Sequence, residues 1–345
     1  MRALVTGATG AIGPATVRAL LASGAAVRIF GRLDRVRDED GRAPSWPRDV
    51  ELAVGDLRQP ETIAAAMPGV DVVVHLAALL HVVNPPPGHD QLYRAINVEG
   101  TRHVAEAAAA AGARRLVLAS TTAVYGPTGE QQASEDTAPA PDSWYAESKL
   151  EAERVARAIG RQSGLEVVIL RLSAVYGPRV RGNYRRLLRA MARGRFVSIG
   201  PGRNHRSLVA DQDAARAFAL AARHPAAAGQ TFNVADGPAH TVDEILSAMA
   251  AAVGRQRPRW HLPTGVARVV AAAGDLAGGA LGQRPGLRPS VEKYLEESAV
   301  DATRIREMLG FTPELDLVAG WKLTAECLRA TGELPPLAGA AVGPL

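Results

Sequence analysis

The strongest constraint on this chain is a repeated alternation. Short runs rich in Val, Ile and Leu at 2–6, 26–30, 50–54, 70–76, 114–119 and 166–171 are separated by helix-periodic stretches at 11–23, 60–67, 90–111 and 144–163. Continuous apolar runs of this length fit strands buried on both faces, and strands joined by helices must pair in parallel through right-handed crossovers. The expected fold is therefore α/β, a doubly wound parallel sheet over residues 1–172. Beyond residue 172 the alternation weakens. Helical stretches at 183–193, 211–223, 241–253, 264–281 and 317–330 are divided by Gly and Pro-rich joints such as 198–202 and 284–289. Residues 173–335 are expected to form a smaller, mostly helical lobe, with segments near 205–235 returning to the sheet through Thr231–Val234, and 336–345 form a tail.

Composition excludes several classes of protein. With 47% hydrophobic and 22% charged residues among 345, the chain can bury a core and is not a disordered one. No apolar run approaches the ~18 residues of a membrane span, and the sequence starts on a strand-like Arg2–Thr6, so a cytoplasmic protein without an integral membrane segment is expected. The single cysteine, Cys327, cannot form an internal disulfide, and no histidine pairs with another His or a Cys at ligand spacing, so no metal is expected. The +5 charge comes from 37 arginines dispersed along the chain and only three lysines. Such a spread describes solvated faces, and no nucleic acid partner is expected.

Gly7, Gly10, Ala11, Ile12 and Gly13 follow the first strand and open the first helix. Glycines there let the backbone turn tightly against a pyrophosphate, which the free N–H groups of the helix N-terminus attract. The second strand ends at Gly31-Arg32 with no carboxylate between Val27 and Arg32. An arginine accommodates a 2′-phosphate where an acid would bind the ribose hydroxyl, so NADP(H) is favoured, with NAD(H) the alternative.

Tyr145 and Lys149 stand four apart and share a helix face. An ammonium beside a phenol favours the phenolate, so the pair can exchange a proton with a carbinol or ketone while hydride moves to or from a nicotinamide. With three lysines in the whole chain, this spacing is hard to attribute to chance. Ser120, Thr121 and Thr122 end the fifth strand, at the sheet edge where open α/β folds bind ligands. His81, in the loop after the fourth strand, could face the same substrate.

Together these residues resemble the extended short-chain dehydrogenase/reductase family, also called the NAD-dependent epimerase/dehydratase family. The resemblance runs over nearly the whole chain: Gly7 to Gly13, Gly55 to Leu57, His75 to Ala78, Asn97 to Thr101, Ser120 to Gly126, Tyr145 to Lys149, Arg171 to Pro178 and Leu309 to Pro313. It implies that Thr121 orients the reacting oxygen, that Tyr145 is the acid/base, and that Lys149 depresses the pKa of Tyr145 and holds the nicotinamide ribose. It also implies that Asp56 and Leu57 flank adenine, that Leu76, Ala77 and Ala78 line the middle of the cofactor, and that Asn97 supports the site. Thr122 and Ala123 stand where sugar 4,6-dehydratases carry Asp and Glu, so dehydration is not expected. A homodimer seam through helices 90–111 and 144–163 is implied as well.

For the substrate, Asn204 to Asp213 resembles the segment that presents an arginine, here Arg206, to the diphosphate of a nucleotide sugar. Arg179 to Tyr184, with Asn183, resembles the branch of 4-epimerases and 4-ketoreductases, although Ala174 replaces an Asn that many epimerases carry. His81, Thr121, Thr122, Asn183 and Arg206 are the candidate substrate contacts. A rival reading rests on Trp260 to Pro263 and the apolar Val266 to Leu281, which resemble the C-terminal region of NADPH-dependent reductases of flavonols, sterols and other apolar ketones. A nucleotide-binding regulatory protein without chemistry would need neither Tyr145 nor Lys149.

Overall fold

The computed structural model describes residues 1–32, 46–82, 85–86, 88–129, 131–257, 261–280 and 286–337. The first half runs β1 (Arg2–Thr6), α1 (Gly13–Ala22), β2 (Ala26–Gly31), β3 (Glu51–Val54), α2 (Pro60–Ala66), β4 (Val72–His75), α3 (His89–Tyr93), a π-helical turn (Arg94–Glu99), α4 (Gly100–Ala110), β5 (Arg115–Thr121), α5 (Trp144–Ser163) and β6 (Glu166–Leu172). It continues with β7 (Ala174–Tyr176), α6 (Asn183–Ala192), β8 (Ser198–Ile199), β9 (His205–Arg206), β10 (Leu208–Ala210), α7 (Asp211–Arg223), β11 (Thr231–Val234), β12 (His240–Thr241) and α8 (Val242–Ala252). The last elements are β13 (His261–Leu262), α9 (Thr264–Ala280), α10 (Leu287–Leu295), α11 (Thr303–Leu309) and α12 (Leu317–Ala330).

Seven parallel strands form one sheet in the order β11-β6-β5-β4-β1-β2-β3. Its central strands are largely apolar because each face is covered by helices, with His75, Arg115, Ser120 and Arg171 among the buried exceptions. Val5, Val74 and Leu170 pack on one side with Val17, Leu20 and Phe218 of α1 and α7. Leu4, Val73 and Leu116 pack on the other with Ile63 and Val104 of α2 and α4. At about 1.5–3 kcal/mol for each large apolar side chain fully buried, these two layers are the main stabilising term. The chain order reverses between β1 and β4, which opens a crevice at the carboxyl edge of the sheet.

The strand run Thr231–Val234 does rejoin the sheet, pairing with Ile169–Leu172 of β6. A separate core holds the second half together, with Tyr176 stacked on Trp321 at 4.6 Å between ring centroids and Leu188, Ile245, Leu246 and Leu328 around them. Two features depart from the sequence expectation. The stretch 90–111 is not one α-helix, since a π-turn interrupts it around Asn97. The joint at 284–289 is already helical from Leu287, because Pro289 falls in the first turn of α10, where a missing N–H costs nothing. Trp260, residues 281–285 and the tail from 338 lie outside the described residues.

Candidate active site

The glycine loop is built for close approach. Gly7 has φ +71°, and a Cβ on it would stand 2.6 Å from the Ala77 backbone nitrogen; one on Gly13 would stand 2.1 Å from the Ala8 carbonyl oxygen. Helix α1 then begins after Ile12 with no side-chain cap and no acidic residue in its first turn. Its leading N–H groups and positive dipole end are left for an anion. A dinucleotide fits this edge: Gly7 to Gly13 would hold the pyrophosphate, and Leu76 to Ala78 would line its middle. Gly7→Ala is expected to raise the dissociation constant for the dinucleotide at least tenfold, about 1.4 kcal/mol, which titration calorimetry on the folded variant would read.

The wall opposite is pegged by His75. This buried imidazole is hydrogen-bonded to Thr6 Oγ1 at 2.6 Å and to Thr101 Oγ1 at 3.1 Å, while Thr6 Oγ1 accepts from the Ala77 amide. Burial, aided by the charge of Lys149, pushes its pKa down to about 3, so it stays a neutral structural pin. At the adenine end, the Asp56 carboxylate is taken by Arg58, whose Nε and Nη2 donate at 3.0 and 2.6 Å. This pairing pulls Asp56 down to about 2, with a weaker pull from exposed Arg32. The carboxylate expected beside adenine is thus already engaged. Leu57 packs under Gly100, and its carbonyl is hydrogen-bonded to His103 Nδ1 at 2.8 Å.

Ser143 caps α5, its Oγ accepting from the Ala146 amide, and so fixes the start of the helix that carries Tyr145 and Lys149. The Tyr145 and Thr121 side chains line the same cavity. Burial pushes the Tyr145 phenol up to about 12, against a smaller downward pull from the Thr121 hydroxyl. Lys149 is buried, which lowers its pKa to about 8 despite the Glu153 carboxylate one turn along the helix. The Lys149 charge acts on Glu153 and His75, and the downward pull on the Tyr145 phenol comes from Thr121. Asn97, in the π-turn, binds both the amide and the carbonyl of Leu79 and donates to Ser148 Oγ, tying the loop after β4 to α5.

Beneath these residues lies a charged network that sequence reasoning missed. Glu153 is fully buried; it accepts from Ser120 Oγ at 2.5 Å and from Arg171 Nε and Nη2 at 3.0 and 2.7 Å. Arg171 also donates to Tyr125 Oη, which donates to Asn233 Oδ1 at 2.8 Å. The network joins β5, α5, β6 and β11 directly under Thr121 and Lys149. The available signals were an arginine inside an otherwise apolar strand and an acid four residues after Lys149.

Thr121, Tyr145, His81, Asn183 and Arg206 line one cavity of about 1400 Å³. The His81 ring meets Tyr145 edge-on at 6.0 Å. Thr122, expected at the substrate, is buried under the 3-10 turn Thr122–Tyr125, and Ala123 occupies the cavity wall in its place. The backbone turns after Thr121, whose hydroxyl also accepts from the Ala123 amide, so alternate side chains face the cleft.

The model of the NAD dependent epimerase/dehydratase family matches residues 3–235. UDP-glucose 4-epimerase of Vibrio cholerae is 30% identical over 94% of this chain and 94% of its own length. N-acetyl-alpha-D-glucosaminyl-diphospho-ditrans,octacis-undecaprenol 4-epimerase of Escherichia coli O157:H7 is 27% identical over 79% of this chain and 82% of its own. The crystal structure of Thermus thermophilus UDP-glucose 4-epimerase in complex with NAD superposes with a TM-score of 0.74 at 29% identity, over 95% of this chain and 99% of that one. The chain belongs to the NAD dependent epimerase/dehydratase family, the extended short-chain dehydrogenase/reductases, and is an enzyme of that family.

Proposed function

We propose that this enzyme moves hydride between a nicotinamide dinucleotide and a carbinol or ketone carbon of a sugar carried on a diphosphate, nucleotide-activated sugars being the first class to test. The observation that carries this reading is that Thr121, Tyr145 and Arg206 line one and the same cavity. A guanidinium suits phosphate oxygens, and a hydroxyl and a phenol suit a reacting sugar oxygen. The two relatives named above support it, since the names of both describe a sugar joined through a diphosphate.

A nicotinamide dinucleotide held by Gly7 to Gly13 and Leu76 to Ala78 would supply the hydride chemistry. The protein's own part is the proton. In reduction the Tyr145 phenol, protonated at neutral pH because burial holds its pKa near 12, donates to the ketone oxygen that Thr121 orients. In oxidation the carbinol proton leaves through Tyr145. Lys149 sits one helical turn away, where it would hold the nicotinamide ribose. Ala123 offers no acid at the wall, which argues against dehydration. For the cofactor, the end of β2 keeps the NADP(H) reading in play through Arg32, and the Thermus complex keeps NAD(H); parallel titration with the two decides.

The test is conversion of a diphospho-sugar by purified enzyme with cofactor absorbance followed throughout. Epimerisation leaves the cofactor unchanged at completion, whereas a ketoreductase consumes one reduced cofactor per product. Loss of a charge-assisted contact worth about 1.5–3 kcal/mol is expected in Arg206→Ala, raising KM roughly ten- to a hundredfold with a smaller change in kcat. An unchanged KM with turnover of an apolar ketone would replace this reading by that of a ketone reductase.

A further inference from the structure

A second chamber of about 510 Å³ opens from the catalytic cavity, and the two share Asn183, Arg206, Ser290 and Lys293 as a neck. Arg206 donates to the Lys293 carbonyl, and among the described residues no carboxylate lies within ion-pair reach of it. Lys293 Nζ is held on Glu296 at 2.8 Å and faces Asp142 at 3.7 Å. Arg206 is thus the cation left for a phosphate at the neck. Past it the wall is hydrocarbon: Leu187, Ile199, Ile245, Leu246, Leu262 and Val291 line it, with the tyrosines 184 and 294 and Arg186 as its polar members.

Helix α9 forms one side of this chamber. Ala267 and Ala271 are buried, whereas Val266, Val269, Val270 and Leu276 are 47–77% exposed. Val270 lines the chamber and reaches the surface, so the apolar path leads outward. The two charges of α9 are turned to structural use. Arg268 is bidentate to Glu292, and Asp275 accepts from the Leu287 and Arg288 amides at the start of α10.

Resting on the sugar-diphosphate reading above, we propose that the group beyond the diphosphate is a long apolar chain, a polyprenyl-type lipid, in place of a nucleoside. The sugar lies at Tyr145, the diphosphate at Arg206, the first carbons of the chain in the chamber, and the remainder leaves past α9. A base and a ribose present several donors and acceptors, of which this mainly apolar wall could meet only those reaching Tyr184, Tyr294 or Arg186, whereas an isoprenoid presents none. The order along the cleft, proton donor, then cation, then hydrocarbon, matches the order of groups in such a molecule.

The experiment uses the full chain with cofactor and N-acetylglucosamine or glucose in two forms, joined to farnesyl diphosphate and to UDP, with conversion read by proton NMR of the sugar. The farnesyl-linked sugar is expected to show a kcat/KM at least tenfold above the UDP-linked one, and Leu187→Asn is expected to narrow that gap. Equal or better use of the UDP-linked sugar overturns the lipid tail and leaves the sugar-diphosphate reading standing. Conversion of neither, with reduction of an apolar ketone, overturns that reading and the tail with it.

Discussion

Tyr145→Phe is expected to lower kcat by roughly 10²- to 10⁴-fold, the range a positioned general acid contributes, while leaving the dinucleotide dissociation constant within about twofold. The ring stays, so its contacts with His81 at 6.0 Å and Tyr93 at 6.1 Å survive; only the hydroxyl is lost. Direction matters for the wild-type pH profile. A phenol held near 12 is protonated through the neutral range, so the reductive direction should be flat from pH 6 to 8, whereas the oxidative direction, which must release a proton, should climb with pH. An oxidative rate that falls as pH rises, or a phenylalanine variant with near-normal kcat, would remove Tyr145 from its role. Stopped-flow cofactor absorbance in both directions measures each outcome.

Glu153→Ala is expected to destabilise the fold by about 3–5 kcal/mol, because it strands the buried Arg171 guanidinium without its carboxylate. Arg171 is 3% exposed and Glu153 fully buried. Urea unfolding should show a large drop in midpoint. A second variant distinguishes charge from packing. Glu153→Leu combined with Arg171→Leu removes both charges and should recover much of the lost stability, since replacing a buried pair by apolar groups is often near neutral. Activity should not recover with it, because Ser120 loses its acceptor and Thr121 follows in the same strand. Full recovery of activity in the double variant would mean that the network does not position the site.

What could be read from the sequence was what is local. The strand–glycine–helix unit at Gly7 and the Tyr145–Lys149 spacing each depend on neighbours within one or two turns, and both stand where periodicity put them. Strand β11 was legible from four residues, Thr231–Val234, because a β-branched and aromatic run has few other homes in a helical stretch. The Glu153–Arg171–Tyr125–Asn233 network was not legible: its partners are 18, 46 and 108 residues apart, and no period links them. The π-turn at Arg94–Glu99 escaped for another reason. One extra residue in a helix leaves the apolar pattern almost intact, yet it redirects Asn97 toward Leu79 and Ser148. The short pairs β7 with β10 and β9 with β12 are too brief for alternation to register.

The return of β11 to the sheet also decides where this enzyme can open. The chain leaves the sheet after Leu172 and comes back at Thr231, where four rungs to β6 and the side chain of Asn233, donating to the Ala133 and Asp301 carbonyls, clasp the second half to the first. A hinge swinging one half away from the other would have to break that clasp. The segment of α9 and α10 is different, since it has a small core of its own around Ala267, Ala271 and Val291. Segments with few shared contacts open at the lowest free energy. Opening is therefore expected first in α9 and α10 over a fixed frame, and hydrogen exchange should be faster across 264–280 and 286–295 than in β11.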